Sequence, residues 1–322
     1  MKLLVTGATG FVGTALVKRL TLNDGFQVSA SVRRKVSTLP AGVRQSLVRD
    51  LSADTDWRHA LDEVDGVIHL AARVHVMTDG PADPLAEYRR VNVTGTLGLA
   101  RQAAAAGVRR FVFISSIKVN GESTENRAAF READPPAPAD PYGVSKAEAE
   151  AGLREIASST RMEVVVIRPP LVYGPGVKAN FLSMTRWLTR GIPLPLGAIH
   201  DNRRTLVALD NLVDLIITCL EHPAAANQVF LVGDSEALST TDLLRRTAAA
   251  LGVRARLIPV PVPLLLMGAR LLGGGDVMRR LCGSLQVDTS KARRMLGWAP
   301  LVSVDEGLRR AVYPFSAKLT AS

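Results

Sequence analysis

The sequence predicts an α/β fold in which a doubly wound parallel sheet is followed by a smaller C-terminal region. Over the first 170 residues, short apolar runs rich in β-branched residues alternate with longer helical patterns, an order typical of βαβ units. The run at residues 111–114 is apolar throughout, as expected for a strand that helices cover on both faces. A glycine-rich turn at residues 7–13 joins the first run to the first helical pattern.

The elements follow in order along the chain. We predict strands at residues 2–6, 27–31, 46–49, 66–70, 110–115 and 163–168. Helical patterns lie between them at residues 11–22, 57–63, 85–106 and 141–157. After Arg168, prolines and glycines interrupt this rhythm, and a further strand is predicted at 229–232 with helices at 210–220 and 240–251. The pattern predicts a first domain over residues 1–170 and a smaller region over residues 171–322, with the chain re-entering the first domain near residues 206–233.

The composition excludes several classes of protein. Hydrophobic residues make up 47% of the 322 residues and charged residues 22%, so the chain can bury a core and is not disordered. Its two cysteines, Cys219 and Cys282, lie far apart, and neither they nor the histidines show the spacing of metal ligands. We therefore predict no metal site, no disulfide framework and a cytoplasmic location.

The net charge of +10 fits a nucleic acid, an anionic membrane surface or a phosphate-rich ligand. Because the basic residues are scattered and aromatic residues amount to only 5%, we predict no nucleic-acid partner. The apolar stretch at residues 260–275 is too short to span a bilayer and is interrupted by Arg270. We predict a packed C-terminal helix there and no integral membrane segment, while loose association with a membrane surface stays open.

The glycines of the N-terminal turn, Gly7, Gly10 and Gly13, form a G-x-x-G-x-x-G pattern. Glycine lets the backbone approach a pyrophosphate, whose charge lies against the N–H groups at the start of the following helix. The turn stands between a predicted strand and a predicted helix, which is the context of a Rossmann dinucleotide site. We therefore predict that NAD(P) binds at this turn.

The second predicted strand ends without the carboxylate that usually accepts a hydrogen bond from the adenosine ribose of NAD. Arg33 and Arg34 follow it instead. A guanidinium can clamp a ribose 2′-phosphate that an acid would repel. The sequence therefore favours NADP(H) over NAD(H), and solvated loop charges are the alternative interpretation.

Tyr142 and Lys146 lie four residues apart, on one face of a helix whose start is marked by Asp140 and Pro141. An ammonium beside a phenol lowers the pKa of the phenol and makes it an acid or base near neutral pH. Ser116 ends the fifth predicted strand, at the sheet edge where α/β folds present their ligand site. We predict that Ser116, Tyr142 and Lys146 are the catalytic residues.

In this order the motifs resemble the extended short-chain dehydrogenase/reductases, the NAD-dependent epimerase/dehydratase family of nucleotide-sugar enzymes. The resemblance extends over nearly the whole chain, through residues 6–13, 50–51, 69–72, 92–96, 115–116, 142–146, 168–176, 204–212 and 296–300. The string at residues 115–122 is similar to bacterial reductases of UDP-4-keto-6-deoxy-N-acetylhexosamine that act in O-antigen and lipopolysaccharide synthesis. It carries Asn120 where many relatives carry tyrosine.

The resemblance adds roles to those already given. The expected cofactor-binding residues are Gly7, Thr9, Gly10, Phe11, Val12, Gly13, Arg33, Arg34, Asp50, Leu51, Leu70, Ala71, Ala72, Asn92, Tyr142, Lys146, Pro169 and Val172. The expected substrate-binding residues are His75, Ser116, Lys118, Asn180 and Arg204. Among these, Asn180 and Arg204 are expected to reach the diphosphate of a UDP-sugar. Family members commonly form homodimers through two long helices, here residues 85–106 and 141–157.

Three functions are open on these grounds. The favoured one is NADPH-dependent reduction of the C4 ketone of a UDP-4-keto-6-deoxy-N-acetylhexosamine in bacterial surface polysaccharide synthesis. The second is a UDP-hexose or UDP-N-acetylhexosamine 4-epimerase with tightly bound NAD, which removes a hydride and returns it to the other face of the ketone. These two share every catalytic residue, and the missing acid after the second strand favours the reductase, as does the resemblance of residues 115–122. The third is a non-catalytic NAD(P)-sensing protein, which would not need all three catalytic residues.

Overall fold

The computed structural model describes residues 1–74, 83–177, 180–271 and 273–319. Over these residues the chain forms nine strands: β1 (Lys2–Thr6), β2 (Gln27–Val32), β3 (Arg44–Leu47), β4 (Gly66–His69), β5 (Arg110–Ile114), β6 (Glu163–Arg168), β7 (Leu171–Tyr173), β8 (Leu206–Ala208) and β9 (Val229–Leu231). Seven of them form one parallel sheet in the order β3-β2-β1-β4-β5-β6-β9, and β7 pairs with β8. The predicted doubly wound parallel Rossmann sheet is therefore confirmed.

Helices connect these strands and cover both faces of the sheet. Within the described residues they are α1 (Phe11–Leu20), α2 (Arg58–Leu61), α3 (Pro84–Tyr88), α4 (Thr96–Ala105), α5 (Pro141–Ser159), α6 (Asn180–Thr189), α7 (Leu209–Glu221), α8 (Thr240–Ala250), α9 (Val262–Leu271), α10 (Gly275–Cys282), α11 (Ser290–Leu296) and α12 (Val304–Leu319). A π-helical stretch, Arg89–Gly95, joins α3 to α4.

The central sheet separates two apolar cores, because successive residues of a strand point to opposite sides. In β1, Leu3 and Val5 belong to the core that contains side chains of α1 and α7, whereas Leu4 belongs to the core of α4 and α5. All three side chains are fully buried. Each such burial contributes about 1.5–3 kcal/mol relative to an exposed position.

A third apolar core lies in the C-terminal region and includes Tyr173, Phe181 and Leu308. The Tyr173 hydroxyl donates a hydrogen bond of 2.7 Å to the Asp234 carboxylate, which also accepts one of 2.7 Å from Asn211 on α7. These bonds tie the third core to α7, which itself packs on the central sheet. The domain boundary at residue 170 stays a prediction.

Two predicted helices differ from those observed. The helix expected at residues 57–63 is only the single turn α2. The helix expected at residues 85–106 begins at Pro84 and contains the π-helical stretch, in which Asn92 is buried. Because a π-helical turn inserts a residue into the normal helical repeat, it changes which side chains face inward.

The apolar stretch at residues 260–275 forms the predicted helix, which is packed on one of its sides only. Its helix α9 buries Leu265 in the third core, but Leu264, Met267 and Leu271 are exposed. Apolar periodicity predicts a helix here without indicating what covers each of its faces. Among the described residues, no helix is long and apolar enough to cross a bilayer.

Candidate active site

The glycine-rich turn after β1 leaves no room for side chains at two positions. Gly7 has a φ of +68°, and a Cβ added there would lie 2.7 Å from the Ala71 backbone nitrogen. A Cβ at Gly13 would lie 2.1 Å from the Gly7 carbonyl oxygen. The Gly10 N–H donates to the Gly7 carbonyl at 2.9 Å and closes the turn. Glycine is therefore required at the first and third positions of the motif by close backbone approach.

The start of α1 is suited to an anion. Its N-cap residue, Gly10, makes no side-chain capping bond, and no acidic residue lies in the first turn. Thr9 and Gly10 are exposed at the mouth of the turn, while Phe11 and Val12 are partly buried behind it. Free N–H groups and the positive end of a helix dipole stabilise a phosphate. The residues present therefore fit the pyrophosphate of a dinucleotide.

We expect Gly13→Ala to weaken NAD(P) binding at least about tenfold, because the added methyl group would force the turn apart and overpacking of this kind costs about 1–3 kcal/mol. Calorimetric titration of the purified variant with NAD and with NADP measures the change. Gly268→Ala in α9 is the matched control, since no atom lies within 4 Å of the position of its Cβ. Unchanged binding by Gly13→Ala would contradict the assignment of the turn.

The loop after β4, in which further cofactor contacts are predicted, lies against the glycine-rich turn. The Ala71 N–H donates to the Thr6 hydroxyl at 3.2 Å. Asn92 accepts a hydrogen bond from the Arg73 N–H at 2.8 Å and donates to the Arg73 carbonyl at 3.1 Å and to the Ser145 hydroxyl at 3.0 Å. The π-helical stretch thus connects this loop to the start of α5. These contacts explain why Asn92, a predicted cofactor residue, is buried.

The other predicted cofactor residues lie along the same edge of the sheet. Arg33 and Arg34 follow β2 and are exposed. The Asp50 carboxylate, beyond β3, pairs with Arg90 at 3.1 Å. Leu51 packs against Gly95, whose Cβ would lie 2.8 Å from the Leu51 Cγ. The remaining four are Leu70 and Ala72, which follow β4 with Ala71, and Pro169 and Val172 beyond β6.

His69 is a fully buried histidine beside these loops. Its Nδ1 lies 2.7 Å from the Thr6 hydroxyl oxygen and its Nε2 lies 2.9 Å from the Thr96 hydroxyl oxygen. Burial, and then the charge of Lys146, lower the pKa of His69 to about 3. The side chain is therefore neutral in the folded protein at neutral pH and links β1, β4 and α4.

The lowered pKa of His69 predicts that the folded protein loses stability in acid. An unfolded histidine takes up its proton near pH 6.5, whereas His69 in the folded chain does so only near pH 3. Its contribution is present above pH 6.5 and is lost as the pH falls toward 3. We expect the free energy of unfolding in urea to be about 2–3 kcal/mol smaller at pH 4.5 than at pH 7 from this residue alone.

The His69→Gln variant should lose most of this pH dependence. His59→Gln, on the exposed surface of α2, is the control and should behave like the unmodified protein. Equal pH dependence in all three proteins would contradict the neutral, buried state of His69.

Lys146 is buried at the carboxyl end of β5. Its ammonium donates to the Ile114 carbonyl at 2.8 Å and lies 4.4 Å from the centre of the Phe113 ring. Burial lowers the pKa of Lys146 to about 7, and the charge of Glu150 opposes that shift. The nitrogen lies 5.9 Å from the centre of the Tyr142 ring, so the two predicted catalytic side chains are neighbours on one helix face.

Tyr142 differs from the expectation in the direction of its pKa. Burial, followed by the negative charge of Asp140 and the neighbouring Tyr88, raises the pKa of Tyr142 above its usual value. The rings of Tyr88 and Tyr142 meet edge to face with 6.0 Å between their centres. The prediction that Lys146 lowers the pKa of Tyr142 is therefore wrong. Burial is the larger effect on this pKa, and the Lys146 ammonium is directed to the Ile114 backbone carbonyl.

Ser116 lies in the turn between β5 and a 3₁₀ turn, Ile117–Val119. The Ser116 hydroxyl accepts a hydrogen bond from the Lys118 N–H at 3.2 Å, and the Ile117 N–H donates to the Pro169 carbonyl at 3.0 Å. A Cβ on Gly143 would lie 3.0 Å from the Lys118 carbonyl oxygen. The start of α5 therefore packs closely on this turn, and the three predicted catalytic residues converge at the end of β5.

A buried ion pair supports this convergence, and sequence reasoning missed it. Glu150 accepts two hydrogen bonds from Arg168, at 2.9 and 2.6 Å, and one of 2.5 Å from the Ser115 hydroxyl. Asn120 accepts a further bond from Arg168 at 2.9 Å. The available signal was the position of Glu150 four residues after Lys146, which places an acid on the buried face of the helix.

Two of the predicted substrate residues, Lys118 and Arg204, already have protein partners. The Lys118 ammonium pairs with the carboxylates of Asp140 and Glu122. Asp140 also caps α5 by accepting a hydrogen bond from the Gly143 N–H at 2.7 Å. In the structure Lys118 therefore holds the start of the catalytic helix, and its role toward a substrate stays a prediction.

Arg204 lies near the end of α10. It donates from one guanidinium nitrogen to the Arg280 carbonyl at 2.7 Å and to the Gly283 carbonyl at 3.1 Å. Burial, and then the positive charge of Arg280, lower the pKa of Arg204. Two guanidinium groups held near each other are suited to a diphosphate, and Arg280 was not among the predicted residues. Of the other predicted substrate residues, His75 lies outside the described residues, and Asn180 begins α6 but its side chain is not described.

Comparisons with known proteins identify the family of this chain. The NAD dependent epimerase/dehydratase family matches residues 3–233 of the chain. The chain belongs to this family. Among curated relatives, a UDP-glucose 4-epimerase of Vibrio cholerae is 49% identical over 97% of this chain and 95% of its own length.

Solved structures of the family resemble the whole chain. A UDP-glucose 4-epimerase from Thermotoga maritima with UDP-glucose is 26% identical, with a TM-score of 0.75 over 99% of this chain and 100% of that one. A short-chain dehydrogenase/reductase superfamily protein from Agrobacterium tumefaciens with bound NAD is 25% identical, with a TM-score of 0.75 over 100% and 99% of the two chains. The prediction of an NAD(P)-dependent enzyme of this family is confirmed.

The favoured function is wrong. The Vibrio cholerae relative, at 49% identity over nearly the full length, is an epimerase, which overturns the expected NADPH-dependent reduction of a C4 ketone. The resemblance to the reductase subgroup rested on residues 115–122 alone. The reductase and epimerase hypotheses share every predicted catalytic residue, so those residues could not separate them. NADP(H) was favoured because Arg33 and Arg34 follow β2 where an acid is usual, and both side chains are exposed.

Proposed function

We propose that this protein is a UDP-hexose 4-epimerase that interconverts UDP-glucose and its C4 epimer, UDP-galactose. The observation that carries the proposal is the 49% identity to the Vibrio cholerae UDP-glucose 4-epimerase over nearly all of both chains. The convergence of Ser116, Tyr142 and Lys146 beside the glycine turn supports it. A UDP-N-acetylhexosamine is the alternative substrate, and a place in surface polysaccharide synthesis stays a prediction.

The roles of the side chains follow from their chemistry. Tyr142 takes the proton of the C4 hydroxyl and later returns it to the C4 oxygen, while the Ser116 hydroxyl donates a hydrogen bond to the same oxygen. NAD⁺ held at the glycine-rich turn of Gly7, Gly10 and Gly13 would supply the acceptor and donor of the C4 hydride. Lys146 lies beside Tyr142, and when it is protonated its charge opposes the effect of burial, which raises the pKa of Tyr142. Arg204 and Arg280 pair with the diphosphate and keep the nucleotide in place as the sugar turns.

We infer NAD as the resident cofactor, because an epimerase regenerates it in every cycle and has no need of an exchangeable NADPH pool. NADP(H), which Arg33 and Arg34 favour in the sequence, is the second candidate. Mass spectrometry of the nucleotide released from acid-denatured protein distinguishes them. We expect NAD in a ratio near one to one with the chain.

A coupled assay tests the activity itself. Purified protein incubated with UDP-galactose, without added cofactor, should form UDP-glucose. After the protein has been removed, UDP-glucose dehydrogenase and NAD⁺ are added, and the NADH formed measures the UDP-glucose. The same protein with NADPH and UDP-4-keto sugars should show no net loss of NADPH. Failure to interconvert the two UDP-hexoses or their N-acetylated counterparts would refute the proposal.

We also propose a homodimer in the cytoplasm. The support is the adjacency of α4 and α5, which pack so closely that a Cβ on Gly152 would lie 2.6 Å from the Leu97 side chain. Their outer surfaces carry small residues such as Ala105, which permit close approach of a second helix pair. Light scattering coupled to gel filtration measures the mass, and twice the mass of the 34.5 kDa chain is expected.

A further inference from the structure

One side of α9 is apolar and open to solvent. Leu264, Met267 and Leu271 are 53%, 57% and 82% exposed, and Val277 in α10 is 61% exposed. Positions i, i+3 and i+7 of a helix lie on one face, so the three α9 side chains form one stripe. We call Leu264, Met267, Leu271 and Val277 the α9–α10 face. Exposed apolar patches of this kind mark interaction surfaces in soluble proteins.

The exposed side chains of the α9–α10 face lie outside the third apolar core. Leu265, next to Leu264 in the chain, is buried among the residues of the third core. The start of α10 is fixed by a 2.8 Å hydrogen bond from the Gly274 N–H to the Ala269 carbonyl. Leu265 therefore anchors α9 on its inner side, and the Gly274–Ala269 hydrogen bond holds the start of α10 near the end of α9.

The segment that carries the α9–α10 face is mostly basic. Residues 252–283 contain five arginines and one acidic residue, Asp276. All five arginines are exposed: Arg254, Arg256, Arg270, Arg279 and Arg280. A short apolar stripe flanked by arginines is the pattern of a helix that lies in the interface of a bilayer with acidic lipids. At ten residues, α9 is too short to span a bilayer.

We propose that the α9–α10 face docks on the surface of an anionic membrane. The apolar side chains enter the boundary between headgroups and acyl chains, while the arginines other than Arg280, which is assigned to the UDP-sugar diphosphate, pair with lipid phosphates. A second copy of the chain fits the face less well, because a two-fold contact would bring the same arginines together and like charges repel. The proposal does not depend on the epimerase activity.

Vesicle flotation with the full-length protein tests the proposal. We expect binding to vesicles of phosphatidylglycerol and phosphatidylcholine in equal parts, no binding to pure phosphatidylcholine, and a steep loss of binding as salt is raised. The double variant Leu264→Asp, Met267→Asp should lower the binding constant at least about tenfold, since it replaces two inserted side chains by charges that the lipid repels. Leu22→Asp is the matched control, because Leu22 is 73% exposed at the end of α1, and it should bind as the unmodified protein does.

Three results would overturn the proposal: no binding to the anionic vesicles at low salt, equal binding to both kinds of vesicle, or equal binding by the double variant. A change of mass in light scattering caused by the double variant without vesicles would assign the face to self-association instead. Circular dichroism and UDP-hexose turnover of each variant establish that it is folded. If the folded protein binds anionic vesicles but does not interconvert UDP-hexoses, the proposed epimerase function fails while the membrane proposal holds.

Discussion

The Tyr142→Phe variant is expected to lose about 10²–10⁴-fold in kcat while it still binds its cofactor, since removal of a positioned acid or base typically costs that much. The substitution keeps the ring against Tyr88 and removes only the hydroxyl that moves the proton. Initial rates of UDP-hexose interconversion give kcat, and calorimetric titration with NAD gives the affinity. The KM for the UDP-hexose should change much less than kcat, because Arg204 and Arg280, rather than Tyr142, are expected to bind the diphosphate.

Tyr313→Phe is the control for that measurement. Tyr313 lies in α12 and is 71% exposed, far along the chain from the catalytic helix. Its kcat should match that of the unmodified protein. Turnover by Tyr142→Phe at the rate of Tyr313→Phe would remove Tyr142 from the mechanism.

Removing the buried acid Glu150 should have the largest effect on stability. In Glu150→Gln the Arg168 guanidinium, only 2% exposed, stays buried without a counter-charge, and breaking a buried pair in this way costs about 3–5 kcal/mol. Ser115 and Arg168 both lose an ionised partner. Urea unfolding followed by circular dichroism measures the change in the free energy of unfolding.

Glu148→Gln is the matched control on the same helix. Glu148 forms an ion pair of similar length with Arg89, at 2.6 Å, but the arginine side chain is 50% exposed. Surface pairs contribute about 0–1 kcal/mol, so this variant should be nearly as stable as the unmodified protein. Equal losses in the two variants would show that burial of the Glu150–Arg168 pair has no special energetic weight.

The sequence predicted the features that depend on local patterns. The N-terminal turn, the parallel order of the sheet and the cap of the catalytic helix at Asp140 all follow from residues that are close together in the chain. The convergence of Ser116 with Tyr142 was also predictable, because both lie at the carboxyl side of one parallel sheet. These features can be predicted without knowing which residues far apart in the chain are in contact.

Contacts between distant residues were not predictable. Glu150 meets Arg168 and Ser115 only through the packing of α5 on β5 and β6, and Arg280 reaches Arg204 across 76 residues of chain. The pKa of Tyr142 depends on how deeply the ring is buried, and spacing says nothing about burial. The reductase and the epimerase differ in how they use a shared set of side chains, so residue types alone could not decide between them.

The most direct test of the account follows deuterium at C4 of the sugar. UDP-[4-²H]glucose, mixed with unlabelled UDP-glucose and incubated with the purified protein, is analysed by mass spectrometry of the UDP-galactose formed. Hydride removal and return within one site predicts that the label stays at C4 and that no cofactor is consumed. Loss of the label to solvent, or formation of product only when NADPH is added, would contradict the proposed epimerase.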